Sequence, residues 1–371
     1  GGDVRQDMIV LDAASATITF SGVPSKPVPS LLREFSAPVS MDSALSQADQ
    51  LFLAQHDSDP FNRWQALQDV GMGLAVAAIN GTPWSDASVE ALSQAMAETL
   101  ASDTLDDAFK ALALSLPAEA QISRTIGKEI DPDRVHKVRK ELLQAVFAPL
   151  ALEMLNAYLA LSSEAPYAPD AASTGRRSLR NRLLTLMVAS DCAGAVGLAA
   201  QQYAGARNMT DRLAALSAST LAWTPDAAKL LGDFHANFAA NDPLVLDKWL
   251  AVTASVPEDG VIERIQAVLA DPGFPKTNPN RLRSLMGSFT MNNPTQFARA
   301  DGAGFRFVAD FVAEVDKINP QVAARVLTGF RIWPMLDQSR RDAAKVALGG
   351  LQTKGSLSRN TADILARMLA S

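Results

Sequence analysis

Along most of the chain, apolar positions recur every three or four residues, the spacing that gathers them on one face of a helix. The clearest punctuation is an Asx or Thr followed by proline. It occurs at Asp59-Pro60, Asp131-Pro132, Thr224-Pro225, Asp242-Pro243, Asn278-Pro279, Asn293-Pro294 and Asn319-Pro320. The first side chain of each pair accepts from free backbone N–H groups at a helix start. Proline fits the next position, where its missing N–H costs nothing. The pattern predicts helices over 43–56, 60–79, 85–100, 104–114, 132–161, 171–189, 191–204 and 209–221. It continues over 225–238, 243–253, 259–269, 279–290, 302–317, 319–331, 337–351 and 357–370. Short connections make consecutive helices antiparallel neighbours. No strict sequence repeat is present, so the expected architecture is mainly α, an irregular α-α superhelix of helix pairs.

The first 39 residues follow another pattern. Asp7 to Asp12 and Ala16 to Phe20 are short β-like runs, and Val23 to Pro29 carries three prolines. Ser30 to Ala37 reads as a further strand stopped by Pro38. Three strands are too few for an independent sandwich. Residues 1–39 are therefore expected to be the last strands of a truncated β-sandwich domain, with residues 40–371 forming the helical domain. The chain opens on Gly1-Gly2-Asp3 without an initiator methionine, and is expected to be a piece of a longer protein.

Composition supports helices. There are 3 Tyr and 15 Phe in 371 residues, while alanine and leucine abound. The net charge of −6 argues against a nucleic-acid partner, which needs clustered positive charge. The single cysteine, Cys192, cannot form an internal disulfide and fits a reducing, cytoplasmic setting as a packed thiol. No apolar run approaches the roughly 20 residues that span a bilayer, so no membrane partner is expected.

Candidate chemistry is sparse. A zinc hydrolase helix needs two histidines one turn apart with a glutamate beside the first. His56, His136 and His235 have no second histidine at i+4, so no metal site is expected in this chain and the histidines read as surface or capping residues. A Ser-His-Asp site needs no adjacency in sequence, but no Gly-x-Ser-x-Gly elbow is present. Asp301-Gly-Ala-Gly304 lacks the lysine and the preceding strand of a phosphate loop and reads as a flexible turn into the next helix. Asn208-Met-Thr210 reads as a helix cap. Arg176, Arg177, Arg180 and Arg182 read as a solvated or acid-paired helix face, with an anion site as the minority reading.

The segment from Asn319 to Phe330 is the most informative. Val322, Ala323, Val326, Leu327 and Phe330 form its apolar face, while Gln321, Arg325 and Thr328 at i, i+4 and i+7 form a separate polar stripe. An amide and a guanidinium beside a helix start suit a carboxylate or a peptide carbonyl. A solvated polar face fits the same spacing.

Several ordered motifs give the chain a specific resemblance. They are Pro27 to Val39, Asp59-Pro-Phe-Asn-Arg-Trp64, Asn208 to Leu216, Asp247-Lys-Trp249, Asn278 to Leu285, Asp301 to Gly304 and Asn319 to Arg325. Together they resemble the C-terminal part of bacterial aminopeptidase N, a zinc metallo-aminopeptidase family, over nearly the whole chain. The resemblance implies a HEAT- or armadillo-like superhelix following the end of a β-sandwich. It implies that zinc, its ligands, the catalytic base and the Gly-x-Met-Glu-Asn motif lie in an upstream catalytic domain of the same polypeptide. This chain then supplies no catalytic residue and is inactive alone. It encloses the active site, restricts entry and lines the C-terminal side of peptide substrates. The positions implied for substrate contact are Arg325, Gln321 and Arg283. The rival reading is a stand-alone helical-repeat scaffold that binds a protein partner, against which the orphan strands of residues 1–39 speak.

Overall fold

The computed structural model describes residues 3–5, 8–39, 41–223, 225–355 and 357–370. Helices dominate it. Asp59, Asp131, Asp242, Asn278 and Asn319 each accept from backbone N–H groups one to three positions into the helix that their proline begins. The other two expected starts are Thr224 and Asn293. Thr224 lies outside the described residues. Asn293 is buried and makes no cap; its amide donates instead to the carbonyls of Ala254 and Val256, at 3.0 and 2.7 Å. The helix after it, Pro294–Phe297, lasts a single turn.

Other boundaries show where pattern and structure part. The pattern passed over the helix Glu119–Ile126, which follows Pro117 and closes at Gly127 in the left-handed region. The helix expected over 132–161 divides into Pro132–Phe147, a 3-10 turn at Ala148–Leu150 that contains Pro149, and Ala151–Ala160. Proline at 149 cannot donate to the helical ladder, and the turn absorbs the missing bond. The whole stretch Pro132–Ala160 is, by length and composition alone, long and apolar enough to cross a membrane. Pro149 and Glu153 interrupt its apolar run in sequence without ending the helical path, which corrects the reading that no such segment exists.

The short β segment expected at the N-terminus is present, but two of its three expected strands are not formed. The described strands are Asp3–Arg5 and Met8–Val10, paired antiparallel with Val4 opposite Ile9; Asp7, the start of the first expected run, lies outside the described residues. Ala16 to Phe20 is irregular, and Ser30 to Ala37 contains a 3-10 turn at Arg33–Phe35. A strand needs a neighbour to receive its hydrogen bonds. The prolines at 24, 27 and 29 remove donors, and no further strand is present among the described residues. Phe20 and Phe35 are left exposed. Arg33 and Asn62 still anchor this segment to the helical domain. Arg33 donates to Asp57 at 2.8 Å, and the Asn62 amide donates to the Leu31 carbonyl at 2.9 Å.

From Gln47–His56 onward most helices pack on a neighbour in the chain, and one continuous apolar core runs from Leu53 to Met368. The succession also closes on itself. Ile130 forms an isolated parallel bridge with Leu336, its N–H donating to Met335 and its carbonyl accepting from Asp337, both at 2.9 Å. Beside the bridge, the guanidinium of Arg340 is buried. It contacts Asp131 at 3.2 Å and Asp337 at 2.5 Å, pairs with Asp133, and donates from Nε to the Ala298 carbonyl at 2.8 Å. Arg341 adds an ion pair to Glu129 at 2.6 Å.

Gly304 corrects the reading of Asp301 to Gly304 as a merely flexible turn. A Cβ on Gly304 would lie 2.2 Å from the Gln296 carbonyl oxygen and 2.3 Å from that of Phe297. The helix Ala303–Val315 thus starts against the backbone of the preceding turn, and only glycine permits that approach. Below it, Phe297 meets Phe305 and Phe330 with ring centres 5.1 and 5.2 Å apart, an edge-to-face cluster under the 320–330 segment.

Two outcomes are expected. Gly304→Ala should destabilise the chain by about 3 kcal/mol or more, whereas Gly349→Ala, with nothing near its added Cβ, should gain up to ~1 kcal/mol; urea midpoints compare them. Arg340→Met should cost about 3–5 kcal/mol at neutral pH, because it strands the Asp131, Asp133 and Asp337 carboxylates. Burial pushes the Asp337 carboxyl up, but the Ser339 hydroxyl, the Arg340 amide and the Arg340 guanidinium together hold it below the usual carboxylate range. A depressed carboxyl adds stability that is present above its unfolded pKa and lost as pH falls through its folded one. The Arg340→Met deficit should therefore narrow in acid. Burial, with the neighbouring Asp131, raises the Asp133 carboxyl overall, but Arg340 lowers it, so the part of the deficit that comes from Asp133 also fades in acid. A deficit independent of pH would contradict this assignment.

Candidate functional site

The ring closure brings three parts of the chain around one groove of about 1130 Å³. One wall is the stretch from Pro279 to Ala298, a second runs from Asn319 to Ile332, and the third is formed by residues near Glu119 and Arg139. Gln321, Arg325 and Thr328 all line it, so the polar stripe read from helical spacing faces the groove. Ala323, Leu327 and Phe330 are buried and do not line the groove, while Val322 and Val326, also buried, form part of its floor beside the stripe. Asn319 caps this helix, its side-chain oxygen accepting from the Val322 N–H at 3.2 Å, and lines the groove as well.

Arg283 reaches the groove from the wall formed by Pro279 to Ala298. The helix that Asn278 starts widens at once into a π turn, Arg283–Gly287. Arg281, two residues earlier, turns inward, buried and ion-paired with Asp247. The motif Asn278 to Leu285 therefore holds one structural and one groove-facing arginine. Asp247-Lys-Trp249 is structural too: Asp247 binds Arg281, and the Trp249 indole donates to the Leu231 carbonyl at 2.9 Å.

Spacing alone missed Arg331, Arg139 and Glu119. Arg331 stands six residues after Arg325, about 120° away on an α-helix of roughly 100° per residue. From Thr328 the chain tightens into a 3-10 helix, Thr328–Met335, which turns about 120° per residue and swings Arg331 toward the groove. Gly329 permits the tight path, since a Cβ there would lie 2.6 Å from the Thr290 Cβ. Glu119 belongs to the helix the pattern passed over. Its carboxylate meets Nδ1 of His136 at 2.8 Å. Arg139 donates from Nε to the Pro117 carbonyl at 2.8 Å, and its burial lowers its pKa.

The electrostatic result is one-sided. Arg283, Arg325 and Arg331 are exposed, and among the described residues their side chains make no ion pair or hydrogen bond. Glu119 is the only acidic residue among the described residues that line the groove. Such a surface can grip a carboxylate or the carbonyls of an extended peptide.

Nothing else among the described residues forms a catalytic set. No three His, Cys, Asp or Glu side chains converge to hold a metal ion there. His136 is engaged by Glu119, His235 stacks on Trp249 with ring centres 4.4 Å apart, and His56 lies against Phe52. Burial and the neighbouring Asp191 push the Cys192 thiol up, away from the reactive thiolate. Asn208 caps the helix Met209–Ala222. Of the readings of the arginine cluster on the helix Ala171–Ala189, acid pairing is not seen among the described residues, and Arg176 is exposed. Arg177 and Arg180 lie over the rings of Tyr167 and Tyr158, and Arg182 donates to the Ala111 carbonyl.

Comparison with known proteins agrees with this architecture. A family model for a domain of unknown function, DUF3458_C, described as ARM repeats, matches residues 47–370. A second, DUF3458, described as an Ig-like fold, matches residues 1–44. Aminopeptidase N of Caulobacter vibrioides is 33% identical over 98% of this chain and 42% of its own length. Aminopeptidase N of Escherichia coli is 32% identical over 100% of this chain and 42% of its own. The chain thus spans about two fifths of the length of these relatives. Among solved structures, Legionella pneumophila aminopeptidase A in complex with aspartic acid superposes with a TM-score of 0.84 at 25% identity, covering 95% of this chain and 42% of that one.

The opposite orientations of the two arginines predict a stability contrast. Arg281→Ala should cost about 3–5 kcal/mol by stranding Asp247, while Arg283→Ala should stay within about 0.5 kcal/mol. Thermal or urea unfolding of the two variants distinguishes them, and equal losses would place Arg283 in the fold rather than in the groove.

Proposed function

The chain belongs to the DUF3458_C family of ARM-repeat domains, its homologues are aminopeptidases N, and on that premise we propose that it is the C-terminal wall of a bacterial zinc-dependent aminopeptidase. In this reading the superhelix covers a catalytic domain of the same polypeptide and restricts entry to the active site. Arg325, Gln321 and Arg283 hold the C-terminal side of a peptide whose N-terminal residue is removed. The observation that carries the reading is the groove itself. Among the described residues Arg283, Arg325 and Arg331 have no side-chain partners there, and they stand beside the Gln321 amide, the donor set that a peptide's carbonyls and terminal carboxylate require.

The donor chemistry of this chain does not fit the zinc ion. Among the described residues no cluster of ligands exists to hold one, and no step on the metal is assigned to this chain. Its work is binding and orientation. Interactions remote from the scissile bond align the substrate and limit its motion, which lowers the barrier that chemistry elsewhere must cross. The protein acts in the cytoplasm and uses neither a nucleic-acid nor a membrane partner. By itself the chain cleaves no peptide.

The test uses the full-length enzyme. Arg325→Ala should lower kcat/KM for a tetrapeptide by roughly 10- to 100-fold, the loss of a charge-assisted contact. Turnover of an aminoacyl amide, too short to reach the groove, should change by less than about 2-fold. An equal loss on both substrates would contradict a substrate-gripping role.

A further inference from the structure

We propose that a second cavity, between the Leu161 to Tyr167 connection and the helix Ala171–Ala189, is a binding site for a small phosphate-bearing anion. The cavity holds about 330 Å³, at the low end for small-molecule sites. It is lined by Arg176, Arg177, Arg180 and Arg207 against two acids, Glu164 and Asp211. The acids are already spent. Glu164 pairs with Arg207 at 2.6 Å, and Asp211 takes the side-chain amides of Asn181 and Asn208, each at 2.8 Å. Among the described residues, Arg176, Arg177 and Arg180 therefore have no carboxylate partner.

Three like charges within about one helical turn repel one another. A merely solvated face would leave them free to move apart, but two are pinned. The Arg180 guanidinium lies 4.4 Å from the Tyr158 ring centre and donates to its hydroxyl at 3.0 Å. Tyr158 is buried and donates in turn to Gln202 at 2.9 Å. The Arg177 guanidinium lies 4.6 Å from the Tyr167 ring centre and donates to the Thr174 hydroxyl at 3.1 Å. Nε of Arg180 is buried with no acceptor, a donor left costly until an oxygen reaches it. Arg176, exposed and one turn before Arg180, carries a third guanidinium at the same opening. Ser162 and Ser173 add hydroxyls to the lining.

The ligand class follows from the donors. One guanidinium fork satisfies a carboxylate, whereas several forks around one opening match a dianion with three terminal oxygens. Rings that hold the forks in place reduce the ordering cost of binding. The volume excludes an extended peptide and accepts a phosphate or a small phosphate monoester.

Isothermal titration of the 371-residue chain with inorganic phosphate, and separately with adenosine 5′-monophosphate, tests this at an ionic strength held constant with sodium chloride. Saturable one-to-one binding is expected, weakened tenfold or more in Arg176→Ala and in Arg177→Ala and unchanged in Arg325→Ala. Circular dichroism checks that the variants fold. Equal affinities would identify the free ion as sufficient, and tighter binding of the nucleotide a monoester on an organic carrier; either supports the site. No saturable binding of either probe would overturn the proposal. So would binding lost in Arg325→Ala but kept in Arg176→Ala, which would place the anion in the larger groove.

Discussion

The burial of one guanidinium, that of Arg340, governs this structure. It joins Asp131 and Asp133 to Asp337, more than two hundred residues away in the chain, and takes the Ala298 carbonyl as well. A charge out of water is tolerated only when its hydrogen-bonding capacity is filled. Arginine's planar fork can serve several oxygens at once, which a lysine ammonium in the same place could not do with the same geometry. The adjacent Ile130–Leu336 bridge fixes the register of the contact. Without this closure the superhelix would be a succession of neighbouring helices with no cavity between distant parts.

The groove follows from the closure. Its walls come from helices that are far apart in sequence, and each is braced from behind. Phe297, Phe305 and Phe330 support the wall that carries Arg325, and Gly304 lets the next helix seat against the carbonyls of residues 296 and 297. Among the described residues the side chains of Arg283, Arg325 and Arg331 make no ion pair or hydrogen bond, so they are cations the fold does not use. A cation the fold does not need, held on a braced wall, is available for a ligand.

Much of this was legible in the sequence because helix starts have a local physical cause. Asp59, Asp131, Asp242, Asn278 and Asn319 cap helices as their spacing indicates, and Gln321, Arg325 and Thr328 share the exposed face that periodicity assigns them. What escaped depends on distant contacts or on departures from α geometry. Asn293 has the local signature of a cap, but the carbonyls of Ala254 and Val256 claim its amide. Arg331 enters the groove only because the chain tightens after Leu327. Arg281 and Arg283 look alike in sequence, and only Asp247 decides which of them turns inward. The strands expected at 16–20 and 30–37 lack neighbours among the described residues, and no local pattern can supply those.

In the function proposed, the wall carrying Arg325 and the wall carrying Arg283 hold the far end of a peptide in the full-length enzyme. Photocrosslinking tests it most directly, using a non-hydrolysable peptide with a photoreactive group at its C-terminal residue, bound to the full-length protein and mapped by mass spectrometry. Crosslinks are expected within residues 279–298 and 319–332. Saturable binding with crosslinks confined to other parts of the chain would contradict it.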